Sequence, residues 1–333
     1  MRTAADHVMG TVVSAAAPDA TDPDVFAAAT AAAFAYLRHV DEVFSPYKPD
    51  SPVSRLRDGR LAFDALREHP DGDEIREILA LCALLRTQTD GAFDAFKVGD
   101  PPMFDPCGAV KGWAAENASR ILADHGVPRH ALSAGGDVRV RGGGPHPADP
   151  DGTRTFDDDS DSDSDSDSSQ AWRVGIADPH RPGHILAVVH RADGAVATSG
   201  TAERGAHITH PRTGRPATAL ASVTVTGPDL ALADGYATAA LAMAGEDRPA
   251  AAYAWLTDLA ARTGYQALTV DRDTGVWWTD GMARLTPALT GHGSRPGYGG
   301  DGAPGAAQTT GGATEDNTAK DSTGTHTAGG RPA

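Results

Sequence analysis

Two long stretches of this sequence lack the apolar residues that a folded core requires, and they limit where a domain can form. The first runs from about Gly142 to Gln170 and contains an Asp-Ser repeat, and the second is the tail from about Gly291 to Ala333. Repulsion between like charges and the small area available for burial predict disorder in both. We therefore expect one domain over residues 1–290, interrupted by a disordered acidic insert at about 142–170, and a disordered tail over 291–333.

The net charge narrows the kinds of partner that this chain can bind. The formal net charge is −16, and −9 remains when the seven aspartates between Asp157 and Asp167 are left aside. A nucleic-acid partner requires a basic face, and an anionic membrane surface attracts basic segments. The sequence therefore argues against both kinds of partner.

Neither the cysteines nor the apolar runs indicate a zinc ribbon, a redox motif or a membrane segment. Cys82 and Cys107 form no CxxC pair, and Cys82 lies in an apolar run that is typical of a buried helix. The first residues lack the apolar region of a signal peptide. No run approaches the roughly 20 apolar residues of a transmembrane helix. We expect a cytoplasmic protein with no integral membrane segment.

Helical and strand patterns alternate irregularly along the chain. Helices are predicted over Val25–Val43, Glu74–Thr87, Lys111–His125 and Asp234–Ala244. Strands are predicted at Leu132–Arg141, Trp172–Ala177, Leu186–His190 and Ala195–Thr198, and a half-buried strand at Ser222–Thr226. We expect the insert to join the first two strands as a long hairpin connection and Asp193-Gly194 to join the next two. This mixture predicts an α+β fold with mostly antiparallel strands.

One helix combines an acidic and a hydroxyl side chain at a spacing that suits a hard cation. Asp234 and Thr238 are four residues apart, so they share one face of the predicted helix. Mg²⁺ prefers such oxygen ligands and completes its coordination with water or phosphate. The alternative is an Asp in the first turn that is favoured by the helix dipole, with Thr238 bonded to a backbone carbonyl.

The segment from Asp105 to Gly112 predicts a loop that leads into a helix near Lys111. Backbone N–H groups at a helix start suit a phosphate, and Lys111 adds a compact positive charge. Gly108 allows another group to approach its carbonyl closely. An Asp-capped loop before an ordinary amphipathic helix is an equally good interpretation.

Two histidines follow the Thr198-Ser199-Gly200 segment. His207 could shuttle a proton near neutral pH or stabilise phosphate charge. His207 and His210 are also spaced as a metal pair, although no third soft ligand lies nearby in the sequence. Two ordinary surface histidines remain the other interpretation.

Eight segments in order resemble the FAD:protein FMN transferase family, which is also called the ApbE family. They are Met9-Gly10-Thr11, Ser45–Leu56, Thr89–Asp94, Asp105–Ala114, Ser133–Gly142, Trp172–Pro179, Ala197–Pro216 and Ser222–Ala239. The sequence departs from the usual family pattern at two places. His210 stands where an Asp usually precedes the Pro of its motif, and Pro106-Cys107 stands where a Leu-Gly pair is more usual.

The resemblance implies a two-lobed α+β fold with mostly antiparallel sheets and flanking helices, FAD in a cleft, and Mg²⁺ at its diphosphate. The implied metal residues are Asp234, Thr238, Ala237 and Gly108, the last through its backbone carbonyl. The implied flavin-nucleotide contacts are Met9, Tyr47, Ala92, Phe93, Asp94, Asp105, Lys111 and Ile208. The implied catalytic residues are His207 and Asp234.

The activity that the resemblance implies is transfer of FMN from FAD to a Thr or Ser hydroxyl of an acceptor protein with a flavin-carrying domain, with release of AMP. Two alternatives remain open. A Mg²⁺-dependent FAD pyrophosphatase would use water in place of the acceptor, and a flavin carrier would bind FAD without turnover.

Overall fold

A computed structural model describes residues 1–99, 102–144, 171–202, 205 and 208–287. Its centre is an eight-stranded sheet with the spatial order β1-β2-β3-β4-β7-β8-β9-β10, in which all neighbouring strands are antiparallel. The strands of this sheet are β1 (Arg2–Val8), β2 (Thr11–Ala17), β3 (His130–Ala134), β4 (Asp137–Arg141), β7 (Gly194–Gly200), β8 (Leu220–Gly227), β9 (Gln266–Asp271) and β10 (Val276–Trp278). A second sheet contains β5 (Trp172–Ala177) and β6 (Ile185–Arg191), which pair antiparallel.

Most of the helices lie on one face of the large sheet, whereas the β5–β6 hairpin and the short helix at Met282–Leu285 cover the other. The helices are α1 (Pro23–Phe44), α2 (Pro52–Arg57), α3 (Gly72–Gln88), α4 (Cys107–Asp124), α5 (Leu230–Ala244), α6 (Pro249–Thr263) and α7 (Met282–Leu285), with a 3₁₀ helix at Phe63–Arg67. Side chains alternate along each strand. In β7, Ala195 and Ala197 join the core under the helices, whereas Val196 joins a second core with Trp172 and Ile176 of β5.

Because both faces are covered, β8 is buried along its whole length. The prediction of a half-buried strand at Ser222–Thr226 is therefore right in position and wrong in burial. The α+β class with mostly antiparallel strands and flanking helices is confirmed. Within the described residues, no helix is both long and apolar enough to span a bilayer.

All four predicted helices are present, but α4 and α5 begin a full turn earlier than predicted. The helix α1 starts after Asp22, whose carboxylate accepts hydrogen bonds from the backbone N–H groups of Asp24 and Val25 at 2.8 and 3.1 Å. The helix α4 begins at Cys107 instead of near Lys111. The helix α5 begins at Leu230, because the carboxylate of Asp229 caps it by accepting from the Leu232 N–H at 3.0 Å. Asp234 therefore lies beyond the first turn, and the helix-dipole interpretation of this residue is wrong.

Both predicted hairpin connections are wrong. The segment Leu132–Arg141 is two strands, β3 and β4, joined by a turn at Gly135 and Gly136, whose φ angles of 57° and 91° favour glycine. The strand β4 pairs with β3 and β7, and β5 pairs with β6, so the acidic insert does not join two paired strands. Likewise, Asp193-Gly194 does not close a β6–β7 hairpin, because it carries the chain from the small sheet to the large one. Residues 145–170 and 288–333, which hold most of the insert and the tail, lie outside the described residues, so their disorder and the 1–290 domain boundary stay predictions.

Candidate active site

The described part of the chain contains a cavity of about 420 Å³ at one end of the large sheet. Because the strands are antiparallel, β2, β4 and β8 begin at this end, and β3 and β7 finish there. The Gly135-Gly136 turn lies in the cavity wall beside Thr11. A Cβ atom on Gly135 would lie 2.8 Å from Thr11 Oγ1, so this turn requires glycine for space as well as for its backbone angles.

The helices α4 and α5 approach closely beside the cavity, and Gly112 makes this possible. A Cβ atom on Gly112 would lie 2.7 Å from the Leu230 carbonyl oxygen and 2.8 Å from Asp234 Cβ. The Gly112 N–H donates to Asp234 Oδ2 at 3.0 Å, and Asp234 is 3% exposed. The buried carboxylate is thereby fixed against the backbone of α4.

The oxygen atoms that could hold a cation meet at this helix contact. Thr238 lies one turn after Asp234, and its Oγ1 is 3.1 Å from Ser199 Oγ on β7. A Cβ atom on Gly108 would lie 3.8 Å from Thr238 Cγ2, so the backbone of α4 passes close to the Thr238 side chain. Asp234, Thr238 and Gly108 all line the cavity. Ala237 is buried and does not line it, so any contribution from this residue comes from its backbone.

One ammonium group lies between two buried carboxylates. Lys111 Nζ is 2.5 Å from Asp137 Oδ2 and 3.8 Å from Asp234 Oδ1. Asp137 is fully buried and accepts the Thr198 N–H at 2.9 Å. Burial and, to a smaller extent, the nearby Asp137 carboxylate raise the pKa of Asp234 to about 7, against the opposing effect of Lys111. These three groups carry a net negative charge when both carboxylates are ionised, which favours an additional cation.

This set of oxygen atoms fits Mg²⁺. Among the described residues, no three His, Cys, Asp or Glu side chains gather into a group that could hold a metal. Mg²⁺ needs no such group, since it is usually bound by one or two carboxylates together with phosphate and water. The buried carboxylate, the hydroxyl and the helix backbone beside them match that requirement.

The segment from Thr89 to Asp94 forms a turn that places Phe93 in the cavity wall. Asp90 and Gly91 have φ angles of 51° and 74°, and Thr89 Oγ1 accepts the Phe93 N–H at 3.0 Å. Asp94 is 7% exposed, and its Oδ2 lies 3.3 Å from Arg86 Nε. The predicted nucleotide residues Ala92, Phe93, Asp94, Asp105, Lys111 and Ile208 all line the cavity.

Two other predicted nucleotide residues do not line the cavity. Tyr47 is 91% exposed. Met9 lies in the turn between β1 and β2 with a φ angle of 54°. Thr11, two residues later, lines the cavity instead. Their contacts with a nucleotide stay predictions. His207 lies outside the described residues, whereas the adjacent Ile208 and Thr209 line the cavity.

The unusual His210 closes a turn. Its carbonyl oxygen accepts the Gly214 N–H at 2.9 Å, and its Nδ1 accepts the Arg212 N–H at 3.2 Å. An Asp side chain at this position would make the same local contact to the residue two places on. The departure from the usual motif therefore preserves the hydrogen bond that shapes this turn.

Sequence reasoning missed several cavity residues. Asp137 lies in one of the eight family-like segments, but its residue type gives no reason to assign it a role, and it is brought to Lys111 by the position of β4 in the sheet. Gly175 comes from a strand whose partner was predicted incorrectly, and Ser222 comes from a strand for which no partner was predicted. Periodicity within a strand does not reveal which strand lies beside it.

The fold and the cavity together define a class of protein. It is an α+β protein in which buried oxygen atoms suited to a cation line a pocket of the size used for small ligands, at one end of the sheet. The model of the ApbE family matches residues 96–263. The chain belongs to the ApbE family, and the resemblance found in the sequence is confirmed.

Curated relatives and solved structures agree with this assignment. The chain is 31% identical over 191 residues to the FAD:protein FMN transferase of Rhodobacter capsulatus, covering 55% of this chain and 31% of the relative. It is 29% identical over 138 residues to the FAD:protein FMN transferase of Salmonella typhimurium, covering 38% of this chain and 33% of the relative. The chain therefore spans about a third of the length of these curated relatives.

Two solved structures have the same fold. The ApbE protein of Thermotoga maritima superimposes with a TM-score of 0.61 at 22% identity, covering 85% of this chain and 98% of the other. The flavin transferase ApbE of Vibrio cholerae superimposes with a TM-score of 0.60 at 18% identity, covering 85% of this chain and 99% of the other.

Proposed function

We propose that this chain is a Mg²⁺-dependent FAD:protein FMN transferase. It would cleave the diphosphate of FAD, attach FMN to a Thr or Ser hydroxyl of an acceptor protein with a flavin-carrying domain, and release AMP. The observation that carries the proposal is the meeting of Asp234, Thr238, Gly108 and Lys111 in one cavity wall. The names of the curated relatives support the same reaction.

In this proposal, Asp234, Thr238 and the backbone of Gly108 and Ala237 hold Mg²⁺. When bound, the cation neutralises the charge that develops on the diphosphate as it is cleaved. The N-terminus of α4 opens on the cavity at Cys107 and Gly108. The Cys107 N–H donates to Asp105 Oδ1 at 2.9 Å and the Ala109 N–H to the Pro106 carbonyl at 2.8 Å, so the Gly108 N–H is the first-turn group that we expect to bind a phosphate oxygen. Lys111 keeps a positive charge close to the same oxygens.

The transfer step forms one phosphorus–oxygen bond and breaks another. The acceptor hydroxyl oxygen attacks the FMN phosphorus, and the bond from that phosphorus to the oxygen bridging to AMP breaks, so AMP leaves with the electron pair. The hydroxyl proton passes to a base, and we assign this role to His207 from the family motif. The position of the adjacent Ile208 in the cavity wall supports this assignment. The cytoplasmic location stays a prediction from the sequence.

Incubation of the full chain with FAD, Mg²⁺ and a flavin-carrying acceptor domain tests the proposal. We expect a fluorescent flavin band on a denaturing gel and one AMP released per flavin attached. An acceptor whose target Thr is replaced by Val is the control and should remain unlabelled. Release of FMN and AMP with no labelled acceptor would favour the pyrophosphatase, and stable FAD binding without AMP would favour the carrier. Either result would refute the transfer.

A further inference from the structure

Ser222 differs from the other hydroxyl-bearing residues of β7 and β8. Within the described residues, its Oγ has no hydrogen-bond partner, although the residue is only 4% exposed. The neighbouring hydroxyls are all paired. Thr198 Oγ1 lies 2.8 Å from Thr224 Oγ1, and Thr226 Oγ1 donates to the Ala195 carbonyl at 2.7 Å. Folded proteins rarely leave a buried hydroxyl unpaired, because its lost hydration is then not compensated.

The position of Ser222 in the sheet shows where its side chain points. Val223 and Val225 join the core under the helices, so Ser222 faces the opposite side, towards the β5–β6 hairpin. Its partner on β9, Val270, belongs to the core on that hairpin side. Ser222 therefore lies on the other face of the sheet from Asp234, yet both residues line the same cavity.

The space around Ser222 is kept open by small residues. Its partner on β7 is Gly200, which has no side chain to cover the hydroxyl. A Cβ atom on Gly200 would lie 3.4 Å from Ser222 Cβ and 2.9 Å from the Ala221 carbonyl oxygen. Gly175 and Ala177 of β5 also line the cavity, and both lie on the exposed side of that strand. We call the part of the cavity wall formed by Gly200 and Ser222 the recess.

We propose that this recess is a binding site for a flat nitrogen heterocycle, and that Ser222 Oγ forms a hydrogen bond with the edge of the ring. This inference rests on the proposed function, in which one ligand has two such rings, the isoalloxazine and the adenine of FAD. Small wall residues leave room for a planar ring, and the unpaired hydroxyl supplies the polar contact that fixes its orientation. Ser222 is thus a specificity-determining residue, separate from the cation site on the helix side.

The variant Ser222→Ala tests the proposal against a matched control, Thr226→Val. Both remove a buried hydroxyl from the same face of β8, but Thr226 lies outside the cavity wall. Affinities for FAD, FMN and AMP are measured with Mg²⁺ present, together with the melting temperature without ligand. We expect Ser222→Ala to weaken FAD binding about three- to tenfold, the effect of one neutral hydrogen bond, without lowering the ligand-free melting temperature. Thr226→Val should lower that temperature and leave the affinity for FAD unchanged.

The separate nucleotides identify the ring in the recess. A parallel loss of FMN affinity would place the isoalloxazine there, and a loss of AMP affinity would place the adenine there. Either result supports the proposal. If the wild-type chain binds FAD and Ser222→Ala binds FAD, FMN and AMP equally well, the recess proposal is refuted while the proposed function stands. Failure of the wild-type chain to bind FAD would refute the proposed function itself.

Discussion

Replacing Gly112 by alanine should damage the active site far more than it damages the fold. The added Cβ would lie 2.7 Å from the Leu230 carbonyl oxygen and 3.1 Å from Ala231 Cα, and both are backbone atoms that cannot rotate away. These distances are about 0.5–1 Å shorter than ordinary contacts, so α4 and α5 must separate by a similar amount. Asp234 would move with α5, and its hydrogen bond from the Gly112 N–H would lengthen.

The expected magnitudes follow from this geometry. Overpacking costs about 1–3 kcal/mol, and the better helix propensity of Ala offsets about 1 kcal/mol of that. The net loss of about 0–2 kcal/mol corresponds to a fall in melting temperature of at most roughly 8 °C for a chain of this size. A displacement approaching 1 Å in a catalytic site can reduce the rate about 100-fold.

The assay compares AMP release and Mg²⁺-dependent FAD binding with the melting temperature of each variant. Gly235→Ala is the control, because the three atoms nearest to its added Cβ all belong to the Leu85 side chain of α3, the nearest at 2.5 Å, and a side chain can move where backbone cannot. That variant should lose stability, and it should retain more activity than Gly112→Ala. Activity of Gly112→Ala within twofold of the wild type would refute the claim that this helix contact positions the carboxylate.

Three further predictions concern the metal site, pH and thiol chemistry. Asp234→Asn keeps an acceptor for the Gly112 N–H but removes the charged ligand. We therefore expect the transfer rate to fall at least about 100-fold, with the melting temperature unchanged or higher. Retained Mg²⁺-dependent transfer would contradict the metal assignment. Burial lowers the pKa of His130 to about 4, below its usual value of 6.5, so the unfolded chain binds the proton first and stability should fall as the pH drops from 6.5 to 4. Between pH 6.5 and 4, the free energy of unfolding measured in urea should fall by roughly 3 kcal/mol less in His130→Gln than in the wild type. An equal fall in both proteins would contradict this account. N-ethylmaleimide should label the exposed Cys107 in the cavity wall and spare Cys82, because burial raises the pKa of the Cys82 thiol to about 12. Mass spectrometry should show that FAD with Mg²⁺ slows the labelling of Cys107. Equal labelling rates with and without FAD would contradict a nucleotide site at this position.

The sequence predicts local features of this protein well. The four-residue spacing of Asp234 and Thr238 places both on one face of α5, and that face lines the cavity. The helical pattern over Val25–Val43 correctly predicts α1, whose observed ends lie within two residues of it. Such features depend on residues that are close in sequence, where helix geometry and capping chemistry act directly.

Features that depend on distant segments are not predictable from local patterns. The start of α5 was misplaced because its cap, Asp229, lies in a Gly-Pro-Asp turn that resembles a loop. The pairing of β4 with β7 crosses the acidic insert and brings Asp137 to Lys111 and Thr198, although none of these residues signals that contact locally. Burial of β8 on both faces likewise depends on the β5–β6 hairpin, which belongs to another sheet.

A crystal of the full chain grown with FAD and Mn²⁺, an anomalous scatterer that replaces Mg²⁺, tests the central claim most directly. The account predicts one anomalous peak within about 2.3 Å of an Asp234 carboxylate oxygen and of Thr238 Oγ1, in contact with the diphosphate. A diphosphate bound elsewhere, or a peak away from both side chains, would contradict it.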